Sequence, residues 1–314
     1  MRAERGGRPG SPSRASAGWG LLLWILCVAC SAPAAEPGAT PGAIPGVDRP
    51  RDADPPAAAR SAGEHAGAVE ITFLDIGQGD AVLVRSPEGR TALIDAGGGD
   101  PVEQLDALGV ERIDLLVATH PHADHIGGME EVLAAYPVRF YMDNGQPHTT
   151  ATYLGLARVL RRRTDIAYLE AVERVVSLGS VTLEVLPLPP AETVDHNDRS
   201  VTIVVRLGSF SALLSGDSET KELGHFVRRG LVPDVTVLKA AHHGSRNGFT
   251  RAFLEAAAPE VVVISLGSNS YGHPHGEASR AYASVAAEVY RTDRDGRVTV
   301  LGYEDGSYVV RTER

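Results

Sequence analysis

Three histidines and a carboxylate fall within one short stretch of the sequence, His120-Pro121-His122-Ala123-Asp124-His125. On extended backbone His120 and His122 project to the same side and can hold one metal ion together. Asp124 and His125, on the turn beyond, can face a second ion a few ångströms away. Imidazole with carboxylate suits zinc, with manganese or iron as further choices. Histidines that merely capped the next helix would have no echo downstream, yet ligand-type residues recur. Asp217 follows a small Ser215-Gly216 pair that leaves room for close approach, so its carboxylate can bridge both ions. One of His242 and His243 completes the second site, and strand parity does not choose between them. His196 is the candidate third nitrogen on the first ion.

Such ions would polarise a substrate oxygen and make a bound water more acidic. Asp124 would then orient that water while binding metal. Asp95 is expected behind the ligands, fixing histidine orientation. Asp75 and Asp80 either do the same or stabilise their glycine turns. Lys239, Ser245 and Arg246 flank the histidine pair, and donors of this kind suit a phosphate oxygen. In the loop from Ser268 to Pro274, Asn269 and Tyr271 offer hydrogen bonds, and His273 offers an acid for a leaving group. A purely structural histidine is the competing reading of His273 and of His275.

These groups need strand ends to carry them. The apolar run from Ile113 to Ala118 reads as a buried strand delivering His120, and Met129 to Ala135 as the helix after it. Strands are expected over 69–77, 81–85, 91–96 and 138–142, with helices over 102–108 and 150–163. The second half reads as strands over 176–186, 200–207, 210–214, 235–240 and 261–266, and helices over 219–229 and to about Glu288. Two closing strands follow. Strands in two batches, each followed by helices, predict two face-to-face sheets with helices outside, a four-layer αββα sandwich over residues 68–314. Arg158, Arg161, Arg162 and Arg163 end one helix, where cations meet the macrodipole favourably; a phosphate-guiding patch is the alternative.

The amino terminus is organised differently. Four arginines precede an apolar run from Leu21 to Ala29, and small residues follow, which is the pattern of a secretory signal over 1–30. It predicts either cleavage after Ala32-Pro33-Ala34 or lipidation at Cys30 in Cys27-Val28-Ala29-Cys30. Membrane attachment would come only through that lipid anchor. Residues 31–67, rich in Pro, Ala and Gly, read as a disordered tether. Both cysteines, Cys27 and Cys30, lie in the signal, so any metal in the domain is held without sulfur. The formal charge is −10; Arg2, Arg5, Arg8 and Arg14 against Glu4 put +3 in residues 1–30, leaving −13 for the rest. A domain that acidic is excluded as a general phosphate-backbone binder.

The ordered motifs resemble metallo-β-lactamase-fold hydrolases and, within them, the ComEC-type competence branch. The matching segments are FLDIGQGDA at 73–81, LIDAG at 93–97, THPHADHIGG at 119–128, NDRS at 197–200, LLSGD at 213–217, LKAAHHGS at 238–245 and SNSYGHP at 268–274. The resemblance implies the αββα metallo-β-lactamase-type sandwich and a hydrolytic site with one or two divalent ions, zinc first and manganese second. That branch shows Asn at the position matched to Asn197, where other branches have His, and His196 stands one residue away. Proteins of the branch carry the domain beside membrane-spanning channel segments, and these residues contain no such segment. The expected activity is metal-dependent phosphodiester hydrolysis, on DNA or a cell-envelope component such as phosphorylcholine. The rival expectations are a β-lactamase or other amide or lactone hydrolase, and a non-catalytic tethered module of the same fold.

Overall fold

Apolar runs in the central strands and period-two alternation in flanking ones such as the strand over 181–185 build the sheets. A computed structural model describes residues 66–191, 194–286 and 288–314. The expectations for the signal over 1–30, and for nearly all of the linker over 31–67, lie outside the described residues. The first strands are β1 (Val69–Phe73), β2 (Val82–Arg85) and β3 (Thr91–Ile94), followed by helix α1 (Pro101–Ala107). Strand β4 (Ile113–Val117) leads through the short helix α2 (Ala123–Ile126) into α3 (Met129–Ala135). Then come β5 (Val138–Asp143), α4 (Ala151–Leu160), β6 (Ala167–Glu170), β7 (Arg174–Leu178) and β8 (Val181–Val185).

The second half runs β9 (Ile203–Leu207), β10 (Phe210–Leu214), α5 (Thr220–Arg228), β11 (Val237–Lys239) and α6 (Arg251–Ala257). It closes with β12 (Val261–Ile264), α7 (Gly276–Val285), β13 (Glu288–Arg291), α8 (Thr292–Asp295), β14 (Val298–Gly302) and β15 (Tyr308–Thr312). One sheet has the order β15-β14-β1-β2-β3-β4-β5-β6, the other β13-β12-β11-β10-β9-β8-β7. The closing strands therefore return to the first sheet. Within each sheet one half is parallel: β3 to β6, and β10 to β13.

Alternate side chains separate the layers. Val69, Ile71 and Phe73 of β1 meet Val181, Leu183, Ile203 and Val205 of the second sheet in one core between the sheets. Leu83, Leu93 and Leu116 point the other way, against Leu105, Met129 and Leu133 of the helices. Leu213, Leu238 and Val262 do the same against Phe226, Phe253 and Tyr282. Burying each such side chain contributes about 1.5–3 kcal/mol. Three cores between four layers are the αββα sandwich.

Three expectations change. The single strand over 176–186 is a hairpin, β7 and β8, because Gly179 turns the chain at φ +69°. The helix expected to run to about Glu288 ends at Val285, and β13 follows. The strand expected from Ser200 begins at Ile203, since residues 197–199 form a 3-10 turn. No helix among the described residues is long and apolar enough to cross a membrane.

Candidate metal centre

Loops at the carboxyl ends of the parallel strands gather on one rim, which is where open α/β sheets place their ligands. Asp95 follows β3, His120 to His125 follow β4, Asp217 follows β10, and His242-His243 follow β11. Asp95 lies at φ +61° and is 1% exposed. Its carboxylate accepts from the Thr119 backbone N–H, the Thr119 hydroxyl and His125 Nδ1, each at 2.7 Å. The turn carrying Asp124 lies so close that a Cβ at Gly79 or Gly97 would come 2.3 or 2.2 Å from the Asp124 carbonyl oxygen. Only glycine admits this approach, which the Asp80 N–H bond to that same carbonyl, 3.0 Å, then secures.

The ligand-type atoms fall into two groups on the two oxygens of Asp217. On the Oδ2 side, His120 Nε2 lies 3.9 Å and His242 Nε2 3.6 Å away, and His122 Nδ1 is 3.0 Å from His120 Nε2. On the Oδ1 side, His125 Nε2 lies at 3.2 Å and His243 Nε2 at 3.5 Å, with Asp124 Oδ2 3.3 Å from His243 Nε2. The structure thus brings together His120, His122, Asp124, His125, Asp217, His242 and His243. His242 and His243 both have left-handed backbone, φ +49° and +52°, a conformation that costs an ordinary residue about 1–2 kcal/mol. Strain of this kind concentrates at functional sites.

Behind the ligands, acceptors fix the tautomers. His125 Nδ1 faces Asp95 and His243 Nδ1 faces the Ser265 carbonyl at 2.9 Å, so each Nδ1 keeps its hydrogen and each Nε2 points into the site, where a metal ion would take the place of a proton. Asp80 Oδ2 and Oδ1 stand 3.6 Å from these same two Nδ1 atoms. His120 Nδ1 meets the hydroxyls of Thr119, 3.1 Å, and Ser200, 3.4 Å. No hydrogen bond completes His125 Nε2, His243 Nε2 or Asp217 Oδ1, although all three are buried. Orphaned buried polar atoms are costly unless something polar or charged answers them. Nitrogen and carboxylate donors converging this way fit a divalent cation. Asp80, His125, Asp217 and His243 alone offer four ligand atoms within 4.8 Å of one another.

The electrostatics agree. Burial opposes charge on His125 and His243, yet Asp217, aided by Asp95 at His125 and by Asp80 at His243, raises both above the ordinary imidazole value. Burial lowers His120 well below it. Asp217 is buried, yet the neighbouring His125 and His243 hold it well below the usual carboxylate range. This corner attracts positive charge, and a metal ion competes with protons for it.

Several sequence expectations move. Lys239 is 2% exposed; it pairs with Asp80 at 2.5 Å and donates to the Gly216 and Ala240 carbonyls at 2.9 and 3.1 Å. Its protons are committed beneath the site, so a substrate-facing catalytic role does not fit. Asp75 pairs with Arg314, and its backbone brackets the Gln104 amide, away from the ligands. His196 directs Nδ1 at Gln146 Oε1, 3.2 Å, with its ring 4.9 Å from His148 and 5.8 Å from His122. It stands beside the first group without reaching Asp217. Asn269 spends its amide on the Gly267 and His273 backbone, bracing its own loop. Ser245 is buried, its hydroxyl accepting from the Asn247 N–H.

Of the other expected groups, His273 lies at the rim. His273 packs 5.4 Å from His242 and 6.3 Å from His243. Burial, with His242 and His243 beside it, lowers its pKa to about 4. Tyr271 is 67% exposed, 5.6 Å from His273, and Arg246 is exposed, its backbone N–H bonded to His275 Nδ1. Sequence reasoning missed Glu219, whose Oε1 lies 2.9 Å from His242 Nδ1, and Ser200, which joins His120 to the Asp217 N–H. Ser200 closes the NDRS segment, so its signal was in view without a role; nothing in the sequence marked Glu219.

Comparison with known proteins fits this geometry. The family model described as the metallo-beta-lactamase superfamily matches residues 74–268. The chain belongs to that superfamily. A metallo-beta-lactamase centre in this fold is a divalent-metal hydrolase site, and the His/Asp cluster described above has the donor chemistry to fit one. Among curated proteins, ComE operon protein 3 of Bacillus subtilis is 28% identical over 256 residues, covering 73% of this chain and 32% of that protein. Competence protein ComA of Neisseria gonorrhoeae is 29% identical over 234 residues, covering 72% and 31%. The chain thus spans about a third of the length of the curated relatives it matches. The crystal structure of the metallo-beta-lactamase fold protein YhfI from Bacillus subtilis superposes with a TM-score of 0.51 at 14% identity, over 71% of this chain and 97% of that one. It shares the fold.

Proposed function

We propose that this domain is a metal-dependent phosphodiesterase acting at an exported location on a nucleic acid or a cell-envelope phosphodiester. The observation that carries the reading is the split donor set on Asp217, one oxygen turned to the His120 group and the other to the His125 group. Bound there, divalent ions supply Lewis acidity and make a water nucleophilic near neutral pH, a pattern shared by many enzymes of in-line displacement at phosphorus. The chain's own groups do the rest. Asp124, fixed by its turn and facing His243, would orient the attacking water. Arg246, exposed and close in sequence to the histidine pair, and Tyr271, whose ring lies 5.6 Å from His273, are the candidates to hold phosphate oxygens. His273, beside the histidine pair and held neutral near pH 7 by its lowered pKa, would offer a ring N–H hydrogen bond to a substrate oxygen rather than act as a charged acid.

Relatives support the same direction. A 77-residue stretch is 38% identical to a protein named ribonuclease Z from Aeropyrum pernix, over 21% of this chain and 24% of that protein. The similarity to competence proteins favours DNA among nucleic acids and a place at the cell envelope. The arginine-flanked apolar run near the amino terminus favours export, followed by release or by anchoring at Cys30. Zinc heads the candidate ions, with manganese second.

The test is a paired assay of the zinc- and manganese-loaded protein on bis-p-nitrophenyl phosphate and on nitrocefin. Turnover of the phosphodiester alone is expected. Nitrocefin turnover without phosphodiester turnover sinks the reading, and a protein that binds neither ion supports a tethered module. Asp217→Ala is expected to lower turnover about 1000-fold or more, some 4 kcal/mol of lost stabilisation.

A further inference from the structure

We propose that His242 and His243 divide between two metal ions, and that Glu219 is the positioning residue that assigns His242 to the His120–His122 ion. This rests on the metal-centre reading under Proposed function and names which side chain completes its first subsite. Consecutive residues on a strand point to opposite faces. Here both histidines leave the strand, in a 3-10 turn with φ/ψ of 49°/48° and 52°/27°. Each Nε2 then faces Asp217, but on different oxygens: His243 at Oδ1, 3.5 Å, and His242 at Oδ2, 3.6 Å. Oδ2 is also the oxygen nearest His120 Nε2, at 3.9 Å.

The donors around Oδ2 are therefore His120, His122 and His242. Neither other candidate for the third nitrogen reaches that oxygen. His196 is engaged with Gln146 and packs on His148. Asn197 turns its amide to Glu219, Nδ2 donating to Oε1 at 3.2 Å. The same Oε1 lies 2.9 Å from His242 Nδ1. Asn197 thus acts at the centre through Glu219. Glu219 Oε1 and His242 Nδ1 are in ion-pair contact without the alignment of a hydrogen bond, and a carboxylate this close to Nδ1 favours the proton there over Nε2, leaving the Nε2 lone pair for metal. Each ion then has a histidine from the pair, and each histidine has its own partner at Nδ1: the Glu219 carboxylate in ion-pair contact with His242, the Ser265 carbonyl accepting from His243.

The test is zinc titration of the full chain in competition with a chromophoric chelator, for wild type, His242→Ala, Glu219→Gln and His196→Ala. Cobalt(II) absorption serves as a second readout of coordination. Wild type is expected to bind two ions. His242→Ala and Glu219→Gln weaken the same one, the latter by about 10–100-fold, the range for lost outer-shell partners. The other ion keeps its affinity, and His196→Ala changes neither. Glu219→Gln preserves shape, so it reads the proposal even where His242→Ala fails to fold. Unchanged affinities in His242→Ala and Glu219→Gln overturn the proposal, as does loss of an ion in His196→Ala instead. Because zinc occupancy is the readout, failure here is distinct from failure of the phosphodiester reading, which shows as absent bis-p-nitrophenyl phosphate turnover with occupancy intact.

Discussion

Asp95→Asn isolates the tautomer argument, because it removes a charge and one acceptor while leaving the shape. In the wild type three donors end on this carboxylate at 2.7 Å: the Thr119 N–H on Oδ1, and the Thr119 hydroxyl and His125 Nδ1 on Oδ2. Asparagine has one carbonyl oxygen, and the Thr119 backbone N–H, which cannot turn away, claims it. The amide NH2 then faces His125 Nδ1. The imidazole can answer only by accepting there and moving its own proton to Nε2, 3.2 Å from Asp217 Oδ1. A protonated Nε2 is no metal ligand. The variant is expected to bind zinc about 10–100-fold more weakly, as for other lost outer-shell partners. Bonds to a charged acceptor contribute about 1.5–3 kcal/mol each, and the hydroxyl can rotate to accept. The metal-free fold should therefore lose about 1–3 kcal/mol, or about 2–12 °C in melting temperature for a domain of this size. Chelator competition reads the first quantity and melting in EDTA the second. Wild-type zinc affinity in the variant, with or without a lower melting temperature, would refute the claim that Asp95 sets the His125 tautomer.

Two further changes probe what lies beneath the site. Lys239→Met leaves Asp80, 1% exposed, as an uncompensated buried carboxylate, and should cost about 3–5 kcal/mol in thermal unfolding, part of it restored by adding Asp80→Asn. Turnover per bound ion should survive; its disappearance at full occupancy would return Lys239 to the reaction itself. Glu222→Gln tests pH linkage. Burial raises the Glu222 carboxyl well above its ordinary value. Between about pH 4.5, where the unfolded group ionises, and the higher folded pKa, the native state binds the extra proton, so this group lowers stability as pH rises. The variant should match wild type near pH 4 and gain on it steadily towards pH 7.5 in melting experiments. A pH-independent difference between the two proteins would contradict this.

How far the site can be read from the sequence follows from how local each cause is. His120, His122, Asp124 and His125 are adjacent, so their types and spacing suffice. Asp217 and Asp95 are legible because an apolar strand ends immediately before each. Parity could not choose between His242 and His243 because it presumes a strand, and two left-handed residues replace the strand with a turn that lets both rings face Asp217. Lys239 misleads for a related reason. It flanks the histidine pair, but β11 is a central strand buried at every position, so a side chain there enters the protein and needs an internal partner. Asp75 and Asp80 bracket the same glycine turn, and the reversal sends one to Arg314 and the other under the ligands. The strands follow the same logic: the central ones announce themselves as apolar runs buried at nearly every position, while β6, with only Leu169 partly buried, has too little contrast to register. Glu219 is the limiting case. Its function comes from contacts with Asn197 and His242 that exist only once residues 197–199, the end of β10 and the end of β11 meet. Acceptors behind metal ligands are set by tertiary approach rather than by motif. A sequence can therefore name the atoms that touch an ion well before it can name the ones that aim them.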